Sequence, residues 1–309
     1  MTYFFRLVRP LNLAIIGLTM YGIRFYLKHS NPSLREIDDS LSFFLLVIST
    51  IFIAAAGNII NDYFDVKADR INKPEKLIIT KHIKKRWAIV THWLLNGLGF
   101  LIALSFSIQF NSFSLAFIHL LSINALWFYS TYFKRKLFLG NLIVALLTAF
   151  IPLLVLLFYH ILANERKVET STLYGPQLIL FLALFAFIQN LAREIIKDTQ
   201  DIEGDKTIHV RSVPMKFGKM NALLLAAVFL CILPMFYLLS MIFPSVFIMG
   251  ECENTLQTIP IILSVILNCS TITLIIVWKD KYLKLYDSLV KLSMVVGILL
   301  TIYLPFINL

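Results

Sequence analysis

The stretch LSFFLLVISTIFIAAAGNIINDYFDVKAD, residues 41–69, decides the fold. Its first part, 41–60, contains no charged residue, and its last nine positions hold Asp62, Asp65 and Asp69. About 20 apolar residues are what a helix needs to cross the hydrocarbon core of a bilayer. An apolar helix therefore runs into a cluster of carboxylates where it leaves the lipid. Asn61, Asp65 and Asp69 are spaced i, i+4, i+8, which is one stripe if the helix continues.

The rest of the chain agrees with a lipid solvent. Of its 309 residues, 59% are hydrophobic and 15% charged, where a soluble domain is about a quarter charged. Mean hydropathy is +0.80. This excludes a cytosolic enzyme, a secreted disulfide scaffold and a disordered chain. The three cysteines, Cys231, Cys252 and Cys269, form no pair with metal or disulfide spacing. Further apolar runs at about 11–28, 87–108, 113–132, 139–162, 176–193, 220–248, 258–278 and 289–307 bring the expected number of membrane helices to nine. The expectation is an all-α, polytopic membrane protein, one domain over 1–309, with its helices around a central apolar cavity. The start of the chain lacks a small-residue cleavage site, so the first run is read as a retained helix.

The net charge of +10 then reads as topology rather than as a nucleic-acid footprint. With a cytosolic N-terminus, 23 of the 28 Lys and Arg residues fall in inside segments, four fall outside, and Arg24 lies within the first run. Cytosolic loops carry such an excess. The reading places the protein as multi-pass in the cell (inner) membrane, with the lipid bilayer as a partner and no nucleic acid. Two inside loops, 61–86 and 194–219, hold nine of the 18 acidic residues.

The second of these loops follows the apolar run 176–193 and reads Arg193-Glu194-Ile195-Ile196-Lys197-Asp198-Thr199-Gln200-Asp201-Ile202-Glu203-Gly204-Asp205. Asp201 and Asp205 repeat the i, i+4 spacing of the first stripe. Carboxylates so placed repel one another, and a bound divalent cation reverses the sign. Magnesium takes oxygen ligands and keeps positions open for water or phosphate. Two acidic rows facing each other can hold Mg²⁺ on a diphosphate, with Lys and Arg completing the shell. Apolar walls below suit an isoprenoid tail and exclude water from an allylic cation. The sequence thus points to ionisation of a polyprenyl diphosphate. No nucleotide-binding glycine motif is present. Asp62 and Glu203 fall on other helical faces, with solvent or secondary roles expected.

At these residues the chain resembles the UbiA-type intramembrane prenyltransferase superfamily, with NxxxDxxxD at Asn61, Asp65 and Asp69 and DxxxD at Asp201 and Asp205. Arg9-Pro10 with Asn12, Asn72-Lys73-Pro74, Tyr129-Ser130, Lys134-Arg135 and Gly140-Asn141 extend the likeness, and Arg211-Ser212-Val213-Pro214 is similar to its archaeal-type branch. That branch includes digeranylgeranylglyceryl phosphate synthases. The resemblance implies a nine-helix bundle in which Asn61, Asp65, Asp69, Asp201 and Asp205 hold Mg²⁺, the four aspartates being catalytic. It implies diphosphate contacts from Lys134, Arg193, Lys197 and Lys73, and places Glu194 and Asp198 near the acceptor or behind those contacts. One departure is that Lys73 and Lys76 stand where family members often have arginine. Lysine supplies charge without a bidentate fork.

The implied activity is diphosphate-releasing transfer of a geranylgeranyl-like group to a lipophilic acceptor. The acceptor favoured is the hydroxyl of a geranylgeranylglyceryl phosphate-like lipid. An aromatic quinone precursor as acceptor, or a cyclase that uses no acceptor, stays open at this stage. A transporter is disfavoured because the carboxylates sit at one end of the helices rather than near the membrane midplane.

Overall fold

The computed structural model describes residues 2–75, 77–168, 176–242 and 259–303. Each apolar run falls on one long helix. The elements are α1 (Thr2–Val8), α2 (Pro10–Ser30), α3 (Pro32–Ile37), α4 (Ser40–Asn72), α5 (Lys85–Gln109), α6 (Ser114–Thr131), a 3₁₀ turn (Phe133–Arg135), α7 (Leu139–Glu165), α8 (Pro176–Gln200), α9 (Ile202–Thr207), α10 (Val213–Phe217), α11 (Lys219–Ile242), α12 (Ile259–Trp278) and α13 (Leu283–Tyr303). Residues 243–258 and 304–309, where two expected runs end and where Cys252 falls, lie outside the described residues, as does Lys76.

Among the described residues six helices are long and apolar enough to cross a membrane: α4, α5, α7, α8, α11 and α12. The expected spans on α2, α6 and α13 are also helical, and each carries polar residues within its apolar run. These residues are used inside the protein. Asn12 and Thr19 of α2, His119 and Ser122 of α6, and Asp287 and Lys291 of α13 all line an internal chamber.

The packing order explains the division. α2, α4, α6, α7, α8 and α13 form a ring, each packed on the next, and α13 returns to α2. α5 packs outside α4 and α6, while α11 and α12 pack behind α8 and α13. No described residue of α5, α11 or α12 lines the chamber. The outer helices pack between the ring and the lipid, and the few polar residues buried on them, such as His92 on α5, are turned towards the ring, where His92 bonds the Ala56 carbonyl of α4.

α4 is the strut of the ring. Asp39 caps its start, accepting from the amides of Leu41 at 3.0 Å and Ser42 at 3.2 Å, a contact of about 1 kcal/mol. The helix runs for 33 residues, about 50 Å at 1.5 Å per residue, well past the apolar part of the sequence. Small residues let neighbours close on it. A Cβ on Gly57 would stand 2.9 Å from Leu126 of α6, and one on Gly99 of α5 would stand 3.0 Å from the Ser49 carbonyl.

The connection ahead of α4 closes one end of the ring. Asp38 is buried, and accepts from Arg24 at 2.6 Å, Lys28 at 2.8 Å and the Tyr159 hydroxyl at 2.6 Å. Arg24, expected as an isolated charge within the first run, is therefore paired, and its guanidinium also lies over the Phe43 ring. Beside this network Met20, Phe43, Leu46, Phe106 and Phe158 form a fully buried core.

Candidate active site

The chamber inside the ring has a volume of about 1000 Å³, at the upper end of small-molecule sites. Every residue expected at the site lines it: Asn61, Asp65, Asp69, Lys73, Lys134, Arg193, Glu194, Lys197, Asp198, Asp201 and Asp205. Its deeper wall is apolar, with Ile53, Leu126, Ile151 and Phe185. Polar groups there are satisfied. The Ser49 hydroxyl lies 2.9 Å from His119 Nε2, and Asn190 donates to Thr148 Oγ1 at 2.9 Å.

The first acidic stripe forms as the spacing requires, because α4 stays helical through Asn72. Asn61 Nδ2 donates to Asp65 Oδ2 at 2.9 Å. Lys134, on the 3₁₀ turn after α6, donates to the same carboxylate and reaches Asn61 Oδ1 at 3.4 Å. Burial opposes the charge on Lys134, yet Asp65 and its neighbours outweigh that and hold the ammonium above its ordinary pKa.

The second pair is built differently from the expectation. α8 stops at Gln200, and Asp201 stands at the break before the six-residue α9 that carries Asp205. The i, i+4 relation survives because the Asp205 amide donates to the Asp201 carbonyl at 3.0 Å. Burial first, then the charges of Asp201 and Asp65, push the Asp205 carboxyl up to about 6 against the pull of Lys134 and Lys73.

The two motifs are joined by the segment that departs from the family pattern. Asn72 Nδ2 donates to the Asp201 carbonyl at 2.8 Å, and the Gly204 amide donates to Asn72 Oδ1 at 2.7 Å. Lys73 Nζ is 2.7 Å from the Asp201 carboxylate. The lysine standing at an arginine position thus bridges the first motif to the second. Gly204 makes the approach possible, since a Cβ there would lie 2.5 Å from the Ala68 carbonyl oxygen of α4.

The other expected contacts resolve as pairs. Lys197 donates to Glu194, Arg193 Nε lies 2.8 Å from Asp287, and Asn141 Nδ2 donates to Asp198 at 2.9 Å. Glu203 is exposed and paired with Lys206 at 2.9 Å, a surface role as expected. Asp62, expected in a solvent or secondary role, stands at the chamber wall in an ion pair with Arg9 from the start of α2. Helical phase alone turned Asp62 away from the stripe, and a cation from another element brings it to the wall. Tyr129, part of the Tyr129-Ser130 likeness, also lines the chamber, as do Asp287 and Lys291, which carried no motif spacing that could single them out.

The donors fit a hard divalent cation by chemistry: one amide oxygen and four carboxylates, with no sulfur or imidazole among them. Among the described residues no three acidic or histidine groups converge into a closed cage. Magnesium characteristically uses few protein carboxylates and completes its shell with water and substrate phosphate.

A digeranylgeranylglyceryl phosphate synthase from Thermococcus sibiricus is 37% identical over 216 residues, 70% of this chain and 68% of that one. A solved structure concerned with digeranylgeranylglyceryl phosphate synthase in membranes superposes with a TM-score of 0.62 at 25% identity, covering 100% of this chain and 99% of that one. A UbiA homolog from Archaeoglobus fulgidus, bound to DMAPP and Mg²⁺, shares the fold with a TM-score of 0.55 at 16% identity, covering 96% of this chain and 98% of that one. The sequence pattern of the UbiA prenyltransferase family matches residues 18–282. With the chamber, both acidic motifs and this match in hand, the chain belongs to the UbiA prenyltransferase family.

Proposed function

We propose that this prenyltransferase moves a geranylgeranyl-like group from its diphosphate to the hydroxyl of a geranylgeranylglyceryl phosphate-like lipid, forming an ether. The observation that carries the reading is the joint made by Asn72, Lys73 and Gly204, which brings both acidic motifs to one mouth over an apolar chamber. The likeness to a digeranylgeranylglyceryl phosphate synthase at 37% identity supports the acceptor class. The Mg²⁺ bound by the Archaeoglobus fulgidus homolog supports the metal.

In this reading all nine long helices span the cell membrane, residues 1–309 act as one unit, and the N-terminus is cytosolic. The lysine and arginine bias supports that orientation. Asn61, Asp65, Asp69, Asp201 and Asp205 hold Mg²⁺, which when bound neutralises the charge of the leaving diphosphate. Lys134 and Lys73, already seated on Asp65 and Asp201, follow the diphosphate oxygens. The allylic C–O bond breaks with its electron pair left on diphosphate. The acceptor hydroxyl oxygen bonds to the freed carbon, and its proton passes to a carboxylate at the chamber wall. Asp198, fixed by Asn141, takes that role, and Glu194 orients Lys197 beside it. Ile53, Leu126, Ile151 and Phe185 exclude water from the cationic carbon.

The test uses purified protein, Mg²⁺, geranylgeranyl diphosphate and a panel of acceptors, with products identified by mass spectrometry. Asp65→Asn and Asp201→Asn are expected to lower diphosphate release on the order of 10²-fold or more, beyond the cost of removing a residue that only supports a metal ligand. Normal turnover in those variants sinks the metal assignment. A cyclic hydrocarbon formed without acceptor selects a cyclase instead.

A further inference from the structure

Eight cationic side chains line the chamber. Five are committed to carboxylates: Arg9, Lys73, Lys134, Arg193 and Lys197. Arg6 and Lys284 are exposed to solvent. Lys291 differs from all of these. It is half-buried on α13, eight residues in from Leu283, about 12 Å along the helix. Among the described residues no carboxylate lies within 4 Å of its ammonium, which donates to the neutral Asn12 Oδ1 at 2.8 Å. The carboxylate one turn before it, Asp287, is taken by Arg193. A cation at membrane depth that faces an internal cavity marks a ligand path and calls for an opposite charge.

We infer that Lys291, with Arg193 and Asn12, is a subsite for an anionic headgroup on a lipid tail, separate from the carboxylates of the mouth. It rests on the prenyl-transfer reading above and assigns the headgroup of the acceptor, so that Arg193 serves the acceptor rather than the diphosphate. The chemistry follows from the neighbours. Lys291 keeps two N–H donors beyond the one given to Asn12. The guanidinium of Arg193 directs Nε to Asp287 and holds Nη1 at 3.8 Å from Glu194. Both side chains line the chamber together with Asn12. An anion here meets the ammonium of Lys291, which no described carboxylate pairs, and the guanidinium of Arg193, whose Nε is held by Asp287. At the mouth it would meet the carboxylates of Asp65, Asp69, Asp201 and Asp205. Charge therefore sorts the substrates: a phosphate carried by metal goes to the carboxylates, and a bare anionic headgroup goes to Lys291.

Titration calorimetry on the full chain in neutral detergent tests this with hexadecyl phosphate, palmitate, hexadecanol and inorganic phosphate as probes. Hexadecyl phosphate is expected to bind at least tenfold more tightly than hexadecanol. K291Q is expected to lower its affinity at least tenfold while changing hexadecanol less than twofold, and K291R to stay within threefold of the native chain. Palmitate with the same dependence on Lys291 supports a site for any anionic headgroup, and displacement by inorganic phosphate supports recognition of the headgroup without its tail. Equal affinity of the native chain and K291Q for hexadecyl phosphate overturns the inference, as does equal affinity for hexadecyl phosphate and hexadecanol. Melting of K291Q and K291R within a few degrees of the native chain ensures that a loss reflects the site. Magnesium-dependent release of diphosphate from geranylgeranyl diphosphate is measured separately. Its absence in the native chain defeats the prenyl-transfer reading without altering the binding result.

Discussion

Replacing Gly204 by alanine tests the joint between the two acidic motifs. The new Cβ would stand 2.5 Å from the Ala68 carbonyl oxygen and 2.3 Å from Asn72 Nδ2. The asparagine can swing aside, but the carbonyl belongs to the backbone of α4, so α9 must retreat by about 0.9 Å to reach an ordinary contact. Retreat strains or breaks the bonds of Asn72 to the Asp201 carbonyl and the Gly204 amide, at roughly 0.5–1.5 kcal/mol each. Overpacking adds about 1–3 kcal/mol. Alanine returns about 1 kcal/mol through its helix propensity, leaving a net loss of about 1–5 kcal/mol. Activity is expected to suffer more, because Asp201 and Asp205 move with α9 while Asp65 and Asp69 stay on α4. A misplacement near 1 Å costs on the order of 10²-fold in rate. The assay pairs thermal unfolding in detergent with Mg²⁺-dependent diphosphate release. A variant that melts at or above the native temperature with undiminished turnover refutes the reasoning, since propensity alone would then have decided the outcome.

Two other perturbations probe the far end and the wall of the chamber. Burial alone would raise the pKa of Asp38, but hydrogen bonds from Arg24, Lys28 and Tyr159 outweigh it and hold the carboxyl at about 2, below its ordinary 3.8. The stabilisation is therefore complete above about pH 4 and drains away as pH falls towards 2. Native protein should lose thermal stability across that window, and Asp38→Asn should flatten the loss at a cost of about 3 kcal/mol at neutral pH; parallel pH profiles for the two proteins would contradict this. Phe185 stands between the chamber and a small void lined by Leu233, Ile261 and Ser264. Phe185→Ala should join the two spaces at a cost of about 3–5 kcal/mol and shift preference towards longer allylic diphosphates, read by mass spectrometry of products from competing donors. An unchanged chain-length preference would show that the wall lies elsewhere.

The parts legible in the sequence were those governed by local periodicity. Apolar runs set the helices, and the stripe of Asn61, Asp65 and Asp69 needed only that α4 continue past residue 60. What the sequence could not show depends on elements far apart in the chain. The break at Asp201 is fixed by Asn72 binding its carbonyl from α4. Asp62 is drawn to the chamber wall by Arg9 of another element. Arg24 looked like a flaw in a membrane helix because its partner, Asp38, is a loop residue whose burial arises only on packing against Tyr159. Hydropathy also left unseen that the polar residues of α2, α6 and α13 face inward, onto the chamber.

α4 carries both the first carboxylates of the mouth and, at Thr50, part of the chamber wall 15 residues away, about 22 Å along the axis. Mouth and depth are thus measured on a single rod. Inserting or deleting one residue between them alters reach by only about 1.5 Å, but turns one end against the other by about 100°. Such a change would swing Asp65 and Asp69 out of line with α9 before it bought useful length. Variation in product length within this architecture is confined to the bulk of side chains along the rod and its neighbours, and the helix itself acts as a ruler whose graduations cannot be moved.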